Sequence, residues 1–324
     1  MNSVEMTHTK PDTELENYVS ALGCEALKAS RRLAVCTPEQ KNAALLEMSY
    51  ELARCQDEIV HVNQEEVEAA RRRGLPAAMC DRLLLTEGRF RAMLNGLRDV
   101  AALPDPVGAE LNTTVRPNGL VIKKVRVPLG VIAIIYESRP NVTADAASLC
   151  LKSSNAVILR GGSEALRTNT AIAQALTAGL VKSGLPAGAV QLVNTADREA
   201  VRALVQLDKY VNLVIPRGGE GLIRTVVELA RVPVLKHYKG VCHVYVDESA
   251  DLEMALRICE NAKCQRPGVC NAMETLLVHE GAAARFLPGL GGLLGEKGVE
   301  LRGDEAVRAL IPWALPAEEQ DWYA

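Results

Sequence analysis

The sequence of this 324-residue chain predicts an α/β protein built around a parallel sheet. Between residues 130 and 230, four apolar segments of strand type alternate with segments of helical periodicity. The first of them, residues 130–135, reads GVIAII, a continuous apolar run that is typical of a strand covered on both faces. Because parallel neighbours need a crossover helix between them, the alternation predicts right-handed βαβ units.

The composition narrows the class of protein. Its 48% hydrophobic and 24% charged residues suit a globular chain with two packed domains. A net charge of −3 and 3% aromatic residues argue against a nucleic-acid surface. No apolar run is long enough to span a bilayer, and the N-terminus lacks the layout of a signal peptide. The nine cysteines contain no CxxC pair, which predicts a reducing, cytoplasmic compartment and no metal site.

Four helices are predicted in the first hundred residues. Two of them begin at capping-box patterns, in which Thr13 precedes Glu16, and Thr37 precedes Gln40, by three residues. The other two are predicted over residues 59–73 and 83–100.

A hairpin is predicted after these helices, over residues 113–127. Pro117, Asn118 and Gly119 supply its turn. The pattern leaves open whether the hairpin packs on the core or reaches a partner subunit.

The predicted sheet follows, with strands over residues 130–135, 156–159, 188–192 and 213–215, and helices over 143–152, 163–182, 200–207 and 220–230. Ligands of such sheets bind beyond the carboxyl ends of the strands. Three loops should lie there, at residues 136–141, 160–164 and 216–220.

Two of these loops resemble phosphate-binding turns. Residues 160–164 read RGGSE and residues 216–220 read PRGGE, and each loop leads into a predicted helix. Backbone N–H groups at a helix N-terminus, together with a guanidinium, bind phosphate well. Neither loop is a G-x-G-x-x-G or Walker A sequence, so a tight connection is the alternative for either one alone. Two such loops in one sheet favour a dinucleotide site.

The candidate nucleophile is Cys270. It follows a Pro267-Gly268 turn in a polar segment and precedes the apolar strand predicted at 275–278. Basic neighbours and free backbone N–H groups lower the pKa of a thiol and favour the thiolate. A buried, unreactive thiol is the alternative, since free cysteines are usually buried.

Four segments together resemble the gamma-glutamyl phosphate reductases, a family of the aldehyde dehydrogenase superfamily: residues 127–169, 208–223, 240–251 and 261–280. The resemblance implies a Rossmann-type NADP-binding domain (residues 1–234), an oligomerisation hairpin within it (113–127), and a catalytic α/β domain (235–324). The implied reaction reduces L-glutamyl 5-phosphate with NADPH to L-glutamate 5-semialdehyde and phosphate, in proline biosynthesis.

The resemblance also implies roles for individual residues. Cys270 would attack the acyl phosphate to give a thioester, and Asn141 would stabilise the oxyanion. Arg160 would bind the 2′-phosphate of NADP. The cofactor phosphates are assigned to Gly161, Gly162, Ser163, Pro216, Arg217, Gly218 and Gly219. Arg139 and Arg266 are candidates for binding substrate carboxylate or phosphate, with a structural ion pair as an equal alternative.

Some positions depart from the family. Ser154 stands where glycine is usual, and Cys264 where threonine is usual. Oxidising relatives hydrolyse the thioester with a glutamate in the segment that matches residues 236–240. Here that segment reads KHYKG, which favours reduction. His237 lies within it; we expect a loop histidine without a role, with a general acid as the alternative.

The family extends beyond the point that matches Trp322. The sequence therefore predicts a C-terminal truncation, with an incomplete catalytic domain and poor or no activity. At full length, we expect a homo-oligomer, with glutamate kinase as a functional partner. Three alternatives remain: an oxidising semialdehyde dehydrogenase, an inactive remnant that binds NADP or a sister subunit, and part of a fusion with glutamate kinase. Nothing before Thr13 supports the fusion.

Overall fold

The computed structural model describes residues 13–236, 240–267 and 269–323. The chain divides into two compact units, Met1–Lys236 and His237–Ala324. The division falls two residues after the boundary predicted at residue 234. Each unit has its own hydrophobic core. No helix of the described ranges is both long enough and apolar enough to cross a membrane.

Helices fill the first part of the described chain: α1 (Thr13–Leu33), α2 (Pro38–Arg54), α3 (Gln56–Arg72), α4 (Ala77–Leu83) and α5 (Glu87–Ala102). The capping box predicted at the start of α2 is confirmed. Thr37 Oγ1 accepts from the Gln40 N–H (3.3 Å), and the Thr37 N–H donates to Gln40 Oε1 (2.9 Å). These bonds satisfy two of the N–H groups that a helix start leaves without partners.

The prediction of a single helix over residues 83–100 is wrong, because the helical structure is interrupted between α4 and α5. Thr86 caps α5 by accepting a hydrogen bond from the Arg89 N–H (3.2 Å). In the break, the N–H of Leu85 donates to Asn63 Oδ1 (2.7 Å). Apolar periodicity continues through this segment, but local hydrogen bonds to Thr86 and Asn63 compete with helix formation.

The predicted hairpin is present and begins earlier than expected. It pairs β1 (Glu110–Val115) with β2 (Val121–Val125) in antiparallel register. Gly119 adopts a φ of +87° in the turn, which glycine reaches without steric cost. Every side chain of both strands is exposed within the described chain. A two-stranded ribbon of this kind is only marginally stable alone.

A four-stranded parallel sheet forms the centre of the first unit, as predicted. Its elements are β3 (Val131–Tyr136), α6 (Asn141–Lys152), β4 (Ala156–Arg160), α7 (Leu166–Lys182), β5 (Val190–Leu192), α8 (Glu199–Val205), β6 (Leu213–Arg217) and α9 (Glu220–Leu229). The strand order is β5-β4-β3-β6, all parallel. On one face of the sheet, helices α6 and α7 pack together and contact α2. On the other face, α1 packs with α8. The fully buried β3 therefore lies between two helical layers.

A buried polar cluster joins α2, α6 and the segment that leads to the hairpin. Lys41 Nζ lies 2.7 Å from Asp105 Oδ2 and donates to Ser154 Oγ (2.9 Å). Ser154 has a φ of +58°, in the left-handed region that favours glycine. The hydrogen bond to Lys41 offsets part of this backbone cost at the position where the family usually has glycine.

The second unit contains β7 (His243–Val246), α10 (Leu252–Cys264), β8 (Thr275–Val278), α11 (Glu280–Glu296), β9 (Arg302–Gly303), α12 (Glu305–Leu310) and β10 (Leu315–Pro316). Strands β7 and β8 are parallel neighbours, and β8 has the predicted bounds. The sequence did not predict α11, because Pro288 and several glycines lower its helix propensity. Tertiary packing stabilises it: Gly291 lets Ile311 approach, and Gly295 lets Trp313 approach.

Candidate functional site

Three predicted loops lie at one edge of the first sheet. Residues 137–140, 161–162 and 218–219 follow β3, β4 and β6, and the carboxyl ends of parallel neighbours share an edge. A fourth loop, residues 193–198 after β5, lies at the same edge and was missed. The sequence feature that could have revealed this loop is the polar run NTADR (residues 194–198), which follows an apolar strand.

The glycine pair before α9 contacts a carboxylate of the chain itself. Glu137 Oε2 accepts a hydrogen bond from the Gly219 N–H (2.9 Å). A Cβ built on Gly218 would lie 2.6 Å from the same oxygen, so any side chain there would displace the Glu137 carboxylate. The N-terminal pole of a helix stabilises an anion at this position. The N–H predicted to meet a cofactor phosphate therefore binds Glu137 in this structure.

Ser138, in the loop after β3, is hydrogen-bonded to the loop after β4. Its N–H and its Oγ both donate to Glu164 Oε1, at 2.8 and 3.0 Å. Ser138 has a φ of +51°, an uncommon backbone conformation that costs about 1–3 kcal/mol and concentrates at functional sites. A Cβ on Gly162 would overlap the Glu164 carboxylate. Two consecutive residues, Glu137 and Ser138, thus join the loops on both sides of β3.

Gly161 is required by the packing beneath its loop. Tyr136 Oη lies 2.6 Å from Thr143 Oγ1, which in turn donates to Asn169 Oδ1 (3.2 Å). A Cβ on Gly161 would lie 2.2 Å from Asn169 Nδ2. Burial raises the pKa of Tyr136, so this hydroxyl stays protonated at neutral pH. Of the next two residues in this loop, Gly162 is buried and Ser163 is exposed.

Arg160 is buried, with 8% of its surface exposed. Its Nη1 donates to the Gly161 carbonyl (2.8 Å), and its Nη2 donates to the carbonyls of Asp197 (3.3 Å) and Ala196 (3.4 Å). Burial lowers the pKa of its guanidinium. Its Nε is buried and has no hydrogen-bond partner among the described residues. The side chain therefore fixes the missed fourth loop and retains one donor for a further acceptor.

Asn141 is the first residue of α6 and is half-buried. Its Nδ2 donates to Asp145 Oδ2 (2.8 Å), one helical turn later. Neighbouring protein atoms reduce the hydration of Asp145 and raise its pKa, against the opposing effects of Asn141 and Arg217. Arg139 lies in the same loop and is half-buried, and Arg217 is exposed at the end of β6, next to the buried Pro216.

Cys270 lies on a turn between α10 and β8, and its thiol is free and exposed. Exposure contradicts the alternative of a buried, unreactive cysteine. Cys242 Sγ donates to the Cys270 carbonyl (3.3 Å), and the Cys242 carbonyl accepts from the N–H groups of Glu274 (3.0 Å) and Thr275 (3.1 Å). The residue before β7 therefore holds both ends of the cysteine turn.

The predicted site residues divide between the two units. Arg139, Asn141 and the glycine loops belong to the first unit, and Arg266 and Cys270 to the second. Arg266 is exposed four residues before Cys270. His237 lies outside the described residues. No cluster of His, Cys, Asp and Glu with the arrangement of a metal site occurs in the part of the chain that the structure describes.

Comparisons with known proteins agree with this architecture. The aldehyde dehydrogenase family matches residues 7–296. A gamma-glutamyl phosphate reductase of Moorella thermoacetica is 56% identical over 304 residues, which cover 94% of this chain and 73% of that protein. The chain belongs to the gamma-glutamyl phosphate reductase family. Members of this family are oxidoreductases, the glutamate-5-semialdehyde dehydrogenases.

Solved structures of this reductase family confirm the fold class. The crystal structure of the gamma-glutamyl phosphate reductase of Thermotoga maritima is 44% identical and superposes with a TM-score of 0.87, over 94% of this chain and 74% of that one. The Saccharomyces cerevisiae reductase is 32% identical, with a TM-score of 0.64 over 93% and 80% of the two chains. The predicted aldehyde-dehydrogenase-like α/β fold is confirmed.

Proposed function

We propose that this chain catalyses the NADPH-dependent reduction of L-glutamyl 5-phosphate to L-glutamate 5-semialdehyde and phosphate, a step of proline biosynthesis. The identity to named reductases supports the substrate and the reaction. The observation that carries the mechanism is the exposed thiol of Cys270, on a turn held by Cys242. An exposed thiol meets the first requirement of a nucleophile, which is access to its substrate.

In the proposed first half-reaction, the Cys270 thiolate attacks the carbonyl carbon of the acyl phosphate. The new C–S bond gives a tetrahedral intermediate, and the C–O bond to phosphate then breaks. Phosphate departs, and a thioester remains on Cys270. Arg139 and Arg266 are the proposed partners of the substrate carboxylate and phosphate, since guanidinium groups bind both in bidentate geometry.

Asn141 is proposed to stabilise the oxyanion of this intermediate. Its side-chain amide has two N–H donors. One donates to Asp145 Oδ2 at 2.8 Å, which fixes the orientation of the amide and leaves the other for the developing charge. A donor that is already oriented costs no reorganisation during the reaction.

The residues at the sheet edge fit a nicotinamide cofactor with a 2′-phosphate. The buried, unpartnered Nε of Arg160 favours an additional acceptor, and an anion is the best acceptor for a guanidinium. The proposed contacts to the pyrophosphate are the loops of residues 161–163 and 216–219. Bound there, NADPH would supply the hydride that reduces the thioester. Collapse of the resulting thiohemiacetal then releases the aldehyde and the Cys270 thiolate.

The second half-reaction must exclude hydrolysis of the thioester. Residues 236–240, KHYKG, lack the carboxylate with which oxidising relatives activate water. This absence favours the reductase over an oxidising semialdehyde dehydrogenase, which stays the second candidate. The proposed setting is the cytoplasm, with glutamate kinase supplying the acyl phosphate. The proposed assembly is a homo-oligomer that contacts its partner through the exposed hairpin.

The test separates the two half-reactions. Purified chain is mixed with glutamyl phosphate generated in situ, and intact mass spectrometry measures an acyl adduct on Cys270 without NADPH. Absorbance then follows NADPH oxidation. Cys270→Ser should abolish the thiol-dependent adduct and turnover. Cys264→Ser, a nearby thiol change in the same unit, should preserve both. A Cys270→Ser protein with normal turnover would refute the mechanism.

A further inference from the structure

We propose that Cys242 and Cys270 form a reversible oxidation site, in which Cys242 converts peroxide-oxidised Cys270 into a disulfide. The proposal depends on the contact between the two residues and on their accessibility. It does not require the reaction proposed above, and its test measures sulfur chemistry rather than turnover.

The two cysteines occupy matched positions beside parallel strands. Cys242 directly precedes β7, and Cys270 lies on the turn that leads into β8; the ladder begins with His243 opposite Thr275. Cys242 Sγ lies 3.3 Å from the Cys270 carbonyl oxygen. The Cys242 carbonyl also binds the N–H groups that follow Cys270, at Glu274 and Thr275. These bonds fix Cys242 against the backbone of Cys270 and keep the two residues adjacent. The proposed disulfide requires rotation of the side chains that brings the two sulfurs within bonding distance.

Exposure distinguishes Cys270 from the other thiols of the second unit, and its contact with Cys270 distinguishes Cys242. Cys270 is exposed and Cys242 is half-buried. Cys259 is fully buried on α10, where burial raises the pKa of its thiol and disfavours the thiolate. Cys264 is half-buried, as Cys242 is, but it packs against the core of the unit. A small oxidant therefore reaches Cys270 first, and Cys242 is the thiol in contact with it.

The chemistry balances with a peroxide as the oxidant. The Cys270 thiolate attacks hydrogen peroxide: an S–O bond forms, the O–O bond breaks, and water leaves after proton transfer. Cys242 then attacks the sulfenic sulfur: an S–S bond forms, the S–O bond breaks, and a second water leaves. Two thiols lose two electrons in total, and one peroxide gains them. Without a second thiol, excess peroxide oxidises the sulfenic acid irreversibly to sulfinic acid.

The wild-type experiment identifies the bond directly. The purified full chain is treated with one equivalent of hydrogen peroxide, its free thiols are blocked, and the tryptic peptides are analysed by mass spectrometry. Cleavage after Lys239, Arg257, Lys263 and Arg285 places Cys242 in the peptide 240–257, and Cys270 together with Cys264 in the peptide 264–285. We expect these two peptides to be disulfide-linked, with two thiols lost and both restored by dithiothreitol.

Two variants assign the partners. Cys264→Ser should keep the crosslink, which then identifies Cys270 as the partner of Cys242. Cys242→Ser keeps a donor for the Cys270 carbonyl, and under excess peroxide it should accumulate sulfinic acid at Cys270 that dithiothreitol does not reverse. Sulfinic acid at Cys270 in the wild-type chain without a crosslink would overturn the proposal. So would a crosslink that Cys264→Ser abolishes, or equal recovery of the wild-type and Cys242→Ser proteins.

Discussion

The carboxylate of Glu137 is hydrogen-bonded to the backbone N–H of Gly219, at the N-terminus of α9. The next residue, Ser138, binds Glu164 in the loop on the other side of β3. The end of β3 therefore sets the positions of both glycine loops. An internal anion also lies where the sequence predicts the phosphate of a cofactor.

Glu137 should compete with that phosphate. Glu137→Gln removes one negative charge at nearly constant size, so we expect the Kd for NADPH to fall by roughly 3–10-fold, about 1 kcal/mol. Titration with NADPH, followed by quenching of intrinsic fluorescence, measures the change. Glu220→Gln is the matched control, because Glu220 lies at the same helix end but pairs with Arg224. Weaker binding by Glu137→Gln alone would show that the carboxylate orders the loop instead.

Arg160 should determine the preference for the 2′-phosphate. Arg160→Lys keeps a positive charge but has no Nε donor and cannot reproduce the bonds to both Gly161 and Asp197. We expect NADPH affinity to fall by roughly 10–100-fold, as for loss of a charged hydrogen bond, and NADH affinity to change little. Isothermal titration with both cofactors gives the ratio. Equal losses for the two cofactors would assign Arg160 to loop positioning alone.

Asn141 should act in the formation of the thioester rather than in cofactor binding. Asn141→Ala removes the proposed oxyanion donor, and we expect acylation of Cys270 to slow by about 10²–10³-fold while the Kd for NADPH is unchanged. Rapid-quench mass spectrometry measures the acylation rate. Asp145→Asn tests the orienting bond separately and should cost less, since the amide donor remains. A normal acylation rate in Asn141→Ala would remove this residue from the mechanism.

Lys41 and Asp105 should stabilise the first unit in a pH-dependent way. Burial opposes ionisation of Asp105, but hydrogen bonds from Lys41 and the Val107 N–H lower its pKa overall. Because the folded pKa lies below the unfolded value of about 3.9, this stability is present above that pH and is lost as pH falls through the folded pKa.

Asp105→Asn leaves the buried Lys41 ammonium without its carboxylate, so the free energy of unfolding should fall by roughly 3–5 kcal/mol at neutral pH. Urea denaturation at neutral and acidic pH measures this cost, which should shrink as the pH falls below about 4. The double variant Lys41→Met/Asp105→Leu should recover part of the stability, because it removes the Lys41 ammonium together with its carboxylate partner. Recovery should be incomplete, because the buried Lys152 also interacts with Asp105. A pH-independent cost would contradict the assignment.

The exposed hairpin should hold the oligomer together. Val115 and Val121 face each other across β1 and β2, and their surfaces are 65% and 52% exposed. Val121→Glu would place a charge in an apolar contact, so we expect a smaller assembly by light scattering. Thr114→Glu adds the same charge on the opposite face of the ribbon and is the matched control. An unchanged mass for Val121→Glu would show that the hairpin has another role.

Short-range patterns in the sequence were enough to predict much of the local structure and to single out the candidate site residues. The uninterrupted apolar run of β3 predicts a strand covered on both faces, and Thr37 with Gln40 predicts the start of α2, because these signals act within a few residues. The position of Cys270 between a Pro-Gly turn and β8 is equally local. These features required no knowledge of distant contacts.

Contacts between groups that lie far apart in the sequence could not be predicted from these local patterns. Glu137 and Gly219 are 82 residues apart, far beyond the range of any local sequence pattern. The bonds from Arg160 to the loop after β5, from Cys242 to Cys270 and from Lys41 to Ser154 are equally nonlocal. Helix α11 forms against its propensity because Ile311 and Trp313 pack on its glycines. Hydrogen bonds and packing depend on three-dimensional distance, whereas periodicity and propensity describe neighbours along the chain.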